Sequence, residues 1–317
     1  MGRRKSGDPI HGWVNLDKPL KLGSTDAVSR VRRLFNAQKA GHAGTLDPLA
    51  TGVLPIALGE ATKTVPYLME ADKSYRFTLR WGETTASFDR ESPVEAVSPV
   101  RPTPVGVEAA LPAFVGEIDQ VPPDFSAVRV DGKRAYDLAR EGVALELAPR
   151  RVRIDAARLV DASDADHATI EIDCGKGAYI RAIVRDLAAS LGALAHVVEL
   201  RRTRVGPFSS ADAITLEYLT DLVQEGSGSK AMLPVETALD DIPALAVTTE
   251  DAFRLKQGRS IVLVPRQVDL LRPRLKPRTL GGQDASRTVS ALSDGRLVAL
   301  CDLRAGRLEP LRVFQMD

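Results

Sequence analysis

The alternation of apolar and polar positions predicts strands and helices in mixed order. Gly12-Trp13-Val14-Asn15-Leu16-Asp17 reads as a buried strand that ends at Lys18-Pro19. Ser24-Thr25-Asp26 offers an N-cap for a helix running to about Asn36. Val28, Val31, Leu34 and Phe35 form its apolar stripe, and Arg30, Arg32 and Arg33 occupy its other faces. Residues 41–59 carry glycine and proline too often for one long element. A helix start follows at Glu60-Ala61-Thr62-Lys63. Residues 73–82 then alternate as a strand, with Tyr75, Phe77, Leu79 and Trp81 on one face.

Residues 92–104, rich in Pro, Val and Ser, read as a loop, and 105–114 as a short helix. Residues 152–160 and 167–174 look like paired strands. After the turn at Gly175 to Gly177, residues 179–191 form an amphipathic helix closed by Gly192, and 200–205 a further strand. This order predicts an α+β fold around a mixed, largely antiparallel sheet. Beyond about residue 215 the chain turns acidic: Glu217, Asp221, Glu225, Glu236, Asp240, Asp241, Glu250 and Asp251 stand against Lys230. With Gly226-Ser227-Gly228-Ser229 in its middle, this stretch reads as a helix-containing connector. From about Pro243 short strands predominate, as in a small β-rich module. Within it Arg266, Arg272, Arg274, Lys276, Arg278 and Arg287 face only Asp269 and Asp284, so 265–287 reads as a basic surface loop.

At 317 residues the chain has room for two domains with cores of their own. Hydrophobic residues make up 44% and charged residues 27%, as in ordinary globular proteins. The 43 basic and 42 acidic side chains nearly cancel, so the sum says nothing about nucleic acid, and only clustering can. Cys174 and Cys301 form no CxxC pair, and His11, His42, His167 and His196 are scattered, which argues against a disulfide framework or a metal centre. Arg3, Arg4 and Lys5 precede Gly7-Asp8-Pro9 rather than an apolar run, unlike a signal peptide. With no stretch near the roughly 18 apolar residues of a membrane span, the expectation is a soluble, cytoplasmic protein.

Chemistry concentrates in Gly41-His42-Ala43-Gly44-Thr45-Leu46-Asp47-Pro48-Leu49-Ala50-Thr51-Gly52. Glycines bracket one carboxylate, whose backbone is restricted by the following proline. From these residues alone, Asp47 is either a turn-capping aspartate or a carboxylate presented to a ligand at close range. Tyr75 on its strand could be half-buried packing, Arg181 a paired surface cation, and His42 a residue that bonds its own loop.

The string GHAGTLDPLATGVLPIALGEATK resembles the catalytic motif of the TruB-type pseudouridine synthases. Leu16-Asp17-Lys18-Pro19, Lys73-Ser74-Tyr75-Arg76-Phe77, Gly177-Ala178-Tyr179-Ile180-Arg181 and Leu200-Arg201-Arg202-Thr203-Arg204-Val205-Gly206 resemble further motifs of that family in the same order, over about residues 12–210. The resemblance implies a pseudouridine synthase catalytic domain over 10–240. It makes Asp47 the catalytic nucleophile, Tyr75 the residue stacked on the uracil, and Arg181 the partner of Asp47. His42, Tyr179 and Leu200 would line the nucleotide pocket, with Lys18 beside it. Residues 243–317 more weakly resemble a PUA-type RNA-binding domain, whose minimal pattern does not include the basic stretch 265–287.

The implied reaction isomerises uridine to pseudouridine at position 55 in the T loop of tRNA. An ionised carboxylate can start it by attacking the sugar or by taking a proton from it, and a neighbouring guanidinium favours that ionised form. Nothing is oxidised and no group is imported, so no metal or cofactor is expected. The base must leave its stack, at a cost of a few kcal/mol. Arg30/Arg32/Arg33, Lys39, Arg150/Arg151/Arg153, Arg201/Arg202/Arg204 and the 265–287 stretch are candidates to hold the RNA in compensation, and His42 is a candidate wedge. The expected partner is tRNA through its T arm, with no obligate protein partner and no membrane, and the family expectation is a monomer. Two rival readings are a catalytically silent tRNA-binding or remodelling protein and a nucleoside or glycoside hydrolase. The second would usually need a paired carboxylate, which the matched motifs lack.

Overall fold

In the computed structural model, which describes residues 7–126, 128–130, 132–143 and 145–316, the alternating segments build one sheet of nine strands. These are β1 (Gly12–Lys18), β2 (Ala40–His42), β3 (Ala50–Leu58), β4 (Lys73–Trp81), β5 (Gly116–Gln120), β6 (Arg150–Asp161), β7 (His167–Cys174), β8 (Ala195–Val205) and β9 (Phe208–Ser209). Their order is β1-β3-β8-β4-β7-β6-β5, with β2 paired to β3 and β9 to β8. Of these pairs only β3 and β8 run parallel, through Leu200↔Ala50 and Arg202↔Gly52. The sheet is mixed and largely antiparallel, as the sequence predicts.

The α-helices of the described residues are α1 (Ser24–Leu34), α2 (Val65–Glu70), α3 (Pro104–Ala110), α4 (Ala135–Arg140), α5 (Ile180–Ser190), α6 (Leu216–Gln224), α7 (Thr249–Lys256) and α8 (Pro265–Leu271), and α1 and α5 cover this sheet where their apolar stripes meet the strands. Ile183, Val184 and Leu187 of α5 (Ile180–Ser190) pack with Phe77, Leu79, Trp81, Ile170 and Ile172. Ala27, Val31 and the following Phe35 bring α1 (Ser24–Leu34) onto Leu16, Leu54 and Ile56. Each large apolar side chain so buried contributes roughly 1.5–3 kcal/mol. Beyond Lys63, α2 (Val65–Glu70) leads directly into β4.

Several expectations are corrected. The 41–59 stretch contains the nine-residue strand β3, buried along nearly its whole length. It has neighbours on both edges and is apolar on both faces, so the alternation that marks a half-exposed strand is absent. Pro55 is tolerated because on that edge β8 pairs only with residues 50–52 and β2 only with 56–58. The cap of α1 is Gly23, and Ser24 is buried for another purpose. Within the expected 92–104 loop, Val94–Val97 pairs with Glu83–Thr85.

A second sheet, β10 (Ala244–Ala246), β11 (Ile261–Val262), β12 (Thr288–Ser293), β13 (Arg296–Arg304) and β14 (Arg307–Val313), has the order β10-β12-β13-β14-β11. Leu297 and Leu300 from it, with Phe314 just beyond β14, share one core with Trp13, Tyr67, Leu68, Val235 and Leu239, so the two sheets are joined by apolar packing. The basic stretch is not simply a loop. Helix α8 (Pro265–Leu271) buries Leu271, and Thr279–Leu280 pairs with Gln283–Asp284. Among the described residues no helix is long and apolar enough to cross a membrane.

Gly52, at φ 99, has the tightest backbone requirement beside the Asp47 loop: a Cβ there would lie 2.2 Å from the Arg202 carbonyl oxygen. Gly52→Ala should therefore cost on the order of 3 kcal/mol in denaturant unfolding. A loss below about 0.5 kcal/mol would contradict this packing.

Candidate active site

The loop between β2 and β3 has almost no regular hydrogen bonding of its own, so buried side chains from elsewhere define its shape. Ser24 Oγ donates to the Leu46 carbonyl and accepts from the Leu46 N–H, each at 2.8 Å. Arg202 on β8, 1% exposed, donates to the carbonyls of Val53 (2.8 Å) and Gly44 (3.0 Å) and more loosely to that of Thr45. Lys18, wholly buried at the end of β1, donates to the carbonyls of Leu22 (2.7 Å), Pro19 (3.0 Å) and Pro48 (3.5 Å). Burial pulls its pKa down to about 8, against the favourable charge of Asp47, and Arg202 pulls the same way as burial. The loop is clamped on both sides of Asp47.

Asp47 keeps 42% of its side chain exposed, and its Oδ2 lies 2.9 Å from the Arg181 guanidinium, itself only 5% exposed. Arg181 stands in the first turn of α5. It also faces Asp89 at 3.5 Å and donates to the carbonyls of Ser87 (3.0 Å) and Phe125 (2.7 Å). Asp89 is buried and accepts from Ser87 Oγ (2.6 Å) and the Glu91 N–H (2.8 Å). Phe88 between Ser87 and Asp89 adopts φ 57, a strained conformation for a bulky side chain. One buried cation thus lies between two carboxylates, one sealed and one open to solvent.

A cavity of about 100 Å³ opens on this pair, lined by Asp47, Tyr75, Tyr179, Ile180, Arg181 and Leu200 among others. Tyr75 is half-buried; burial raises its phenol pKa, and the Arg202 guanidinium within hydrogen-bonding reach opposes this. Tyr179 is the N-cap residue of α5. Gln120 fixes it by donating to its carbonyl (3.2 Å) and accepting from its N–H (2.8 Å). Burial raises the Tyr179 phenol pKa too.

The structure therefore gathers Asp47, Tyr75, Tyr179, Arg181 and Leu200 around one cavity. Lys18 supports the loop from beneath. His42, on β2, does not line the cavity: it is half-buried, its Nδ1 lacks a hydrogen-bond partner among the described residues, and burial followed by Arg202 lowers its pKa. Burial corrects one RNA-contact candidate: Arg202 points into the core, and a bulge in β8 between Arg202 and Arg204 keeps Arg204 from following it, so that Arg201 pairs with Asp17 at 2.7 Å and Arg204 donates to Ser74 (3.1 Å). Arg30, Arg32, Arg33, Lys39, Arg150, Arg151 and Arg153 are at least partly exposed. Sequence reasoning missed Asp89, Ser24 and Gln120 as site residues. Ser87-Phe88-Asp89 signals a turn, and nothing local says that its carboxylate meets a residue 92 positions later. Among the described residues no cluster of His, Cys, Asp and Glu could hold a metal ion.

Residues 32–180 match the model of the TruB family pseudouridylate synthase N-terminal domain, and 181–240 that of the tRNA pseudouridylate synthase B C-terminal domain. The chain is 65% identical over 316 residues to tRNA pseudouridine synthase B of Caulobacter vibrioides, with 100% of each chain covered. It is 50% identical to tRNA pseudouridine synthase B of Nitrobacter winogradskyi, covering 99% of this chain and 85% of that one. Its fold is similar to a chain of an H/ACA RNP bound to a substrate RNA containing 2'-deoxyuridine, with a TM-score of 0.70 at 22% identity over 100% of this chain and 92% of that one. It is also similar to a chain of a Cbf5-Nop10-Gar1 complex, at 0.68 and 24% over 96% and 84%. At such identities these structures speak for the fold alone.

The buried Lys18 gives the clamp a pH signature. Its folded pKa, about 8, lies below the ordinary 10.5. Between these values the unfolded chain binds the extra proton, so stability rises with pH there. Relative to Lys18→Met, the wild type should gain roughly 3 kcal/mol of unfolding free energy across that window, most of it by pH 10. Parallel stability curves for the two proteins would contradict the burial of a charged Lys18.

Proposed function

The chain belongs to the TruB family of pseudouridylate synthases and isomerises uridine to pseudouridine in tRNA; from that premise we propose that its target is uridine 55 of the T loop and that Asp47 is the catalytic nucleophile. The observation that supports Asp47 in this role is its pairing with a sealed Arg181 while its own carboxylate stays open to the cavity. Arg181 holds Oδ2, and among the described residues no donor engages Oδ1, which is left for the ribose.

The cavity divides the remaining work. The N1–C1′ bond of the extruded uridine breaks, the uracil turns in place, and C5 bonds to C1′. The proton lost from C5 is matched by one gained at N1, so the product keeps every atom of the substrate. Asp47 engages the sugar. Tyr75 offers an aromatic face to the detached base and a hydroxyl for the proton transfer at C5. Tyr179 and Leu200 confine the base, and His42 beside the loop serves as the wedge at the point where it leaves its stack. Asp89, Ser87 and Phe125 hold Arg181, so the carboxylate need not reorganise during reaction. Since redox state and composition are unchanged, the chemistry calls for no cofactor.

In this reading residues 10–240 are the catalytic domain and 243–317 a PUA-like RNA-binding domain. The protein acts as a cytoplasmic monomer without an obligate protein partner. The outward-facing Arg30, Arg32, Arg33 and Lys39 are available for phosphates of the T arm.

Asp47→Asn should reduce pseudouridine formation in tRNA by at least about a thousandfold, or roughly 4 kcal/mol of barrier, with a tRNA Kd within about threefold of wild type. Product is read by mass spectrometry after derivatisation and binding by filter retention. Undiminished product would remove Asp47 from its role, and free uracil would convert the protein into a hydrolase.

A further inference from the structure

The basic stretch in the second module has no part in the catalytic chemistry, and the structure separates its cations into two sets. Arg278 pairs with Asp241 at 2.6 Å and Arg287 with Asp302 at 3.0 Å, while Lys276 lies within the field of Asp240. Arg266, Arg272 and Arg274, on α8 and the turn that continues it, are all exposed, and among the described residues none of them has a carboxylate within ion-pair distance. Elsewhere in the module Arg254 pairs with Glu250 and Arg304 lies 3.9 Å from Asp302, while the exposed Arg259, Arg296, Arg307 and Arg312 likewise have no carboxylate within ion-pair distance among the described residues; Arg266, Arg272 and Arg274 are set apart by falling together on one short stretch of chain. Asp269, the carboxylate of α8, is exposed and joins no ion pair among the described residues. Exposed Val262, Val264 and Leu270 lie in the same stretch of chain.

This patch is also fixed in place. Leu280, in the hairpin that follows it, packs onto the core containing Tyr67 and Leu68 of α2. The Arg278–Asp241 pair ties the same segment to the connector. Helix α2 runs into β4, the strand of Tyr75, and Lys73 at their junction donates to the Met69 carbonyl at 2.7 Å. Glu70 of α2 pairs with Lys176 in the turn before Tyr179. A ligand held by the patch is therefore held at a set position relative to the cavity, which is what makes a remote grip useful for orientation.

We propose that Arg266, Arg272 and Arg274 form a second phosphate-binding surface that grips the backbone of the same tRNA outside its T arm. The occupant follows from charge. Three unpaired guanidiniums suit the oxygens of a phosphodiester chain, and the substrate of this protein is a polyanion larger than the stem-loop that the cavity reads. The proposal rests on the T-arm reading above.

The test compares full-length tRNA with an isolated T-arm stem-loop, both as substrates, across sodium chloride from about 50 to 300 mM. For the triple variant Arg266→Gln/Arg272→Gln/Arg274→Gln, KM for full-length tRNA should rise on the order of tenfold at physiological salt with kcat unchanged. The salt exponent of kcat/KM should fall by about two to three, near one for each phosphate that the variant no longer neutralises. The stem-loop should be processed as by the wild type, and the corresponding triple Lys variant should recover most of the affinity for tRNA. An unchanged KM and salt exponent on full-length tRNA would overturn the proposal, as would equal loss on both substrates without recovery by lysine. Failure of the T-arm reading looks different, because the wild type would then leave the stem-loop unmodified.

Discussion

The arrangement depends on one buried guanidinium. Arg181 sits almost wholly out of water between the carboxylates of Asp47 and Asp89, with two backbone carbonyls accepting two further hydrogen bonds from it. A cation desolvated to this degree costs several kcal/mol unless its partners are well placed. The surrounding structure supplies them: the strained Ser87-Phe88-Asp89 turn, the N-cap of α5 fixed by Gln120, and the clamped loop of Asp47. Placing the cost on the arginine leaves the aspartate open. The buried partner fixes the geometry, and in the proposed reading the exposed one meets the substrate.

The sheet explains why such a site can be rigid although its key residue lies on a loop. Loop carboxylates wander unless their backbone is held. Here Ser24, Lys18 and Arg202 reach in from α1, β1 and β8, and each bonds loop or adjoining backbone. Two of these three are buried cations bonded to carbonyls, an expensive choice that makes sense where position matters more than stability. The single parallel pairing of the sheet, between β3 and β8, brings Arg202 under the loop and requires glycine at position 52.

Much of this was legible in the chain. Alternation located β4, β6 and β7, the helical period located α1 and α5, and the motifs pointed to Asp47, Tyr75, Tyr179, Arg181 and Leu200, which the fold gathers round one cavity. The misses have physical causes. Strand β3 is buried on both faces and carries Gly52 and Pro55, so it shows no period of two. Ser24 has the chemistry of a cap, but its hydroxyl meets Leu46 across the fold. Asp89 is a turn aspartate until the sheet brings its turn to α5. Arg202 looks like one of three equivalent arginines until the fold buries it, with a bulge in β8 separating it from Arg204. In each case a long-range interaction overrides a local preference.

In the proposed reading Arg181 aims the Asp47 carboxylate at the ribose of an extruded uridine. A structure of the protein bound to its tRNA measures this directly. Asp47 Oδ1 should then lie within about 3.5 Å of C1′ or its hydrogen-bearing neighbour, with Oδ2 still on Arg181. A carboxylate turned away from the sugar, with Arg181 paired to Asp89 alone, would contradict it.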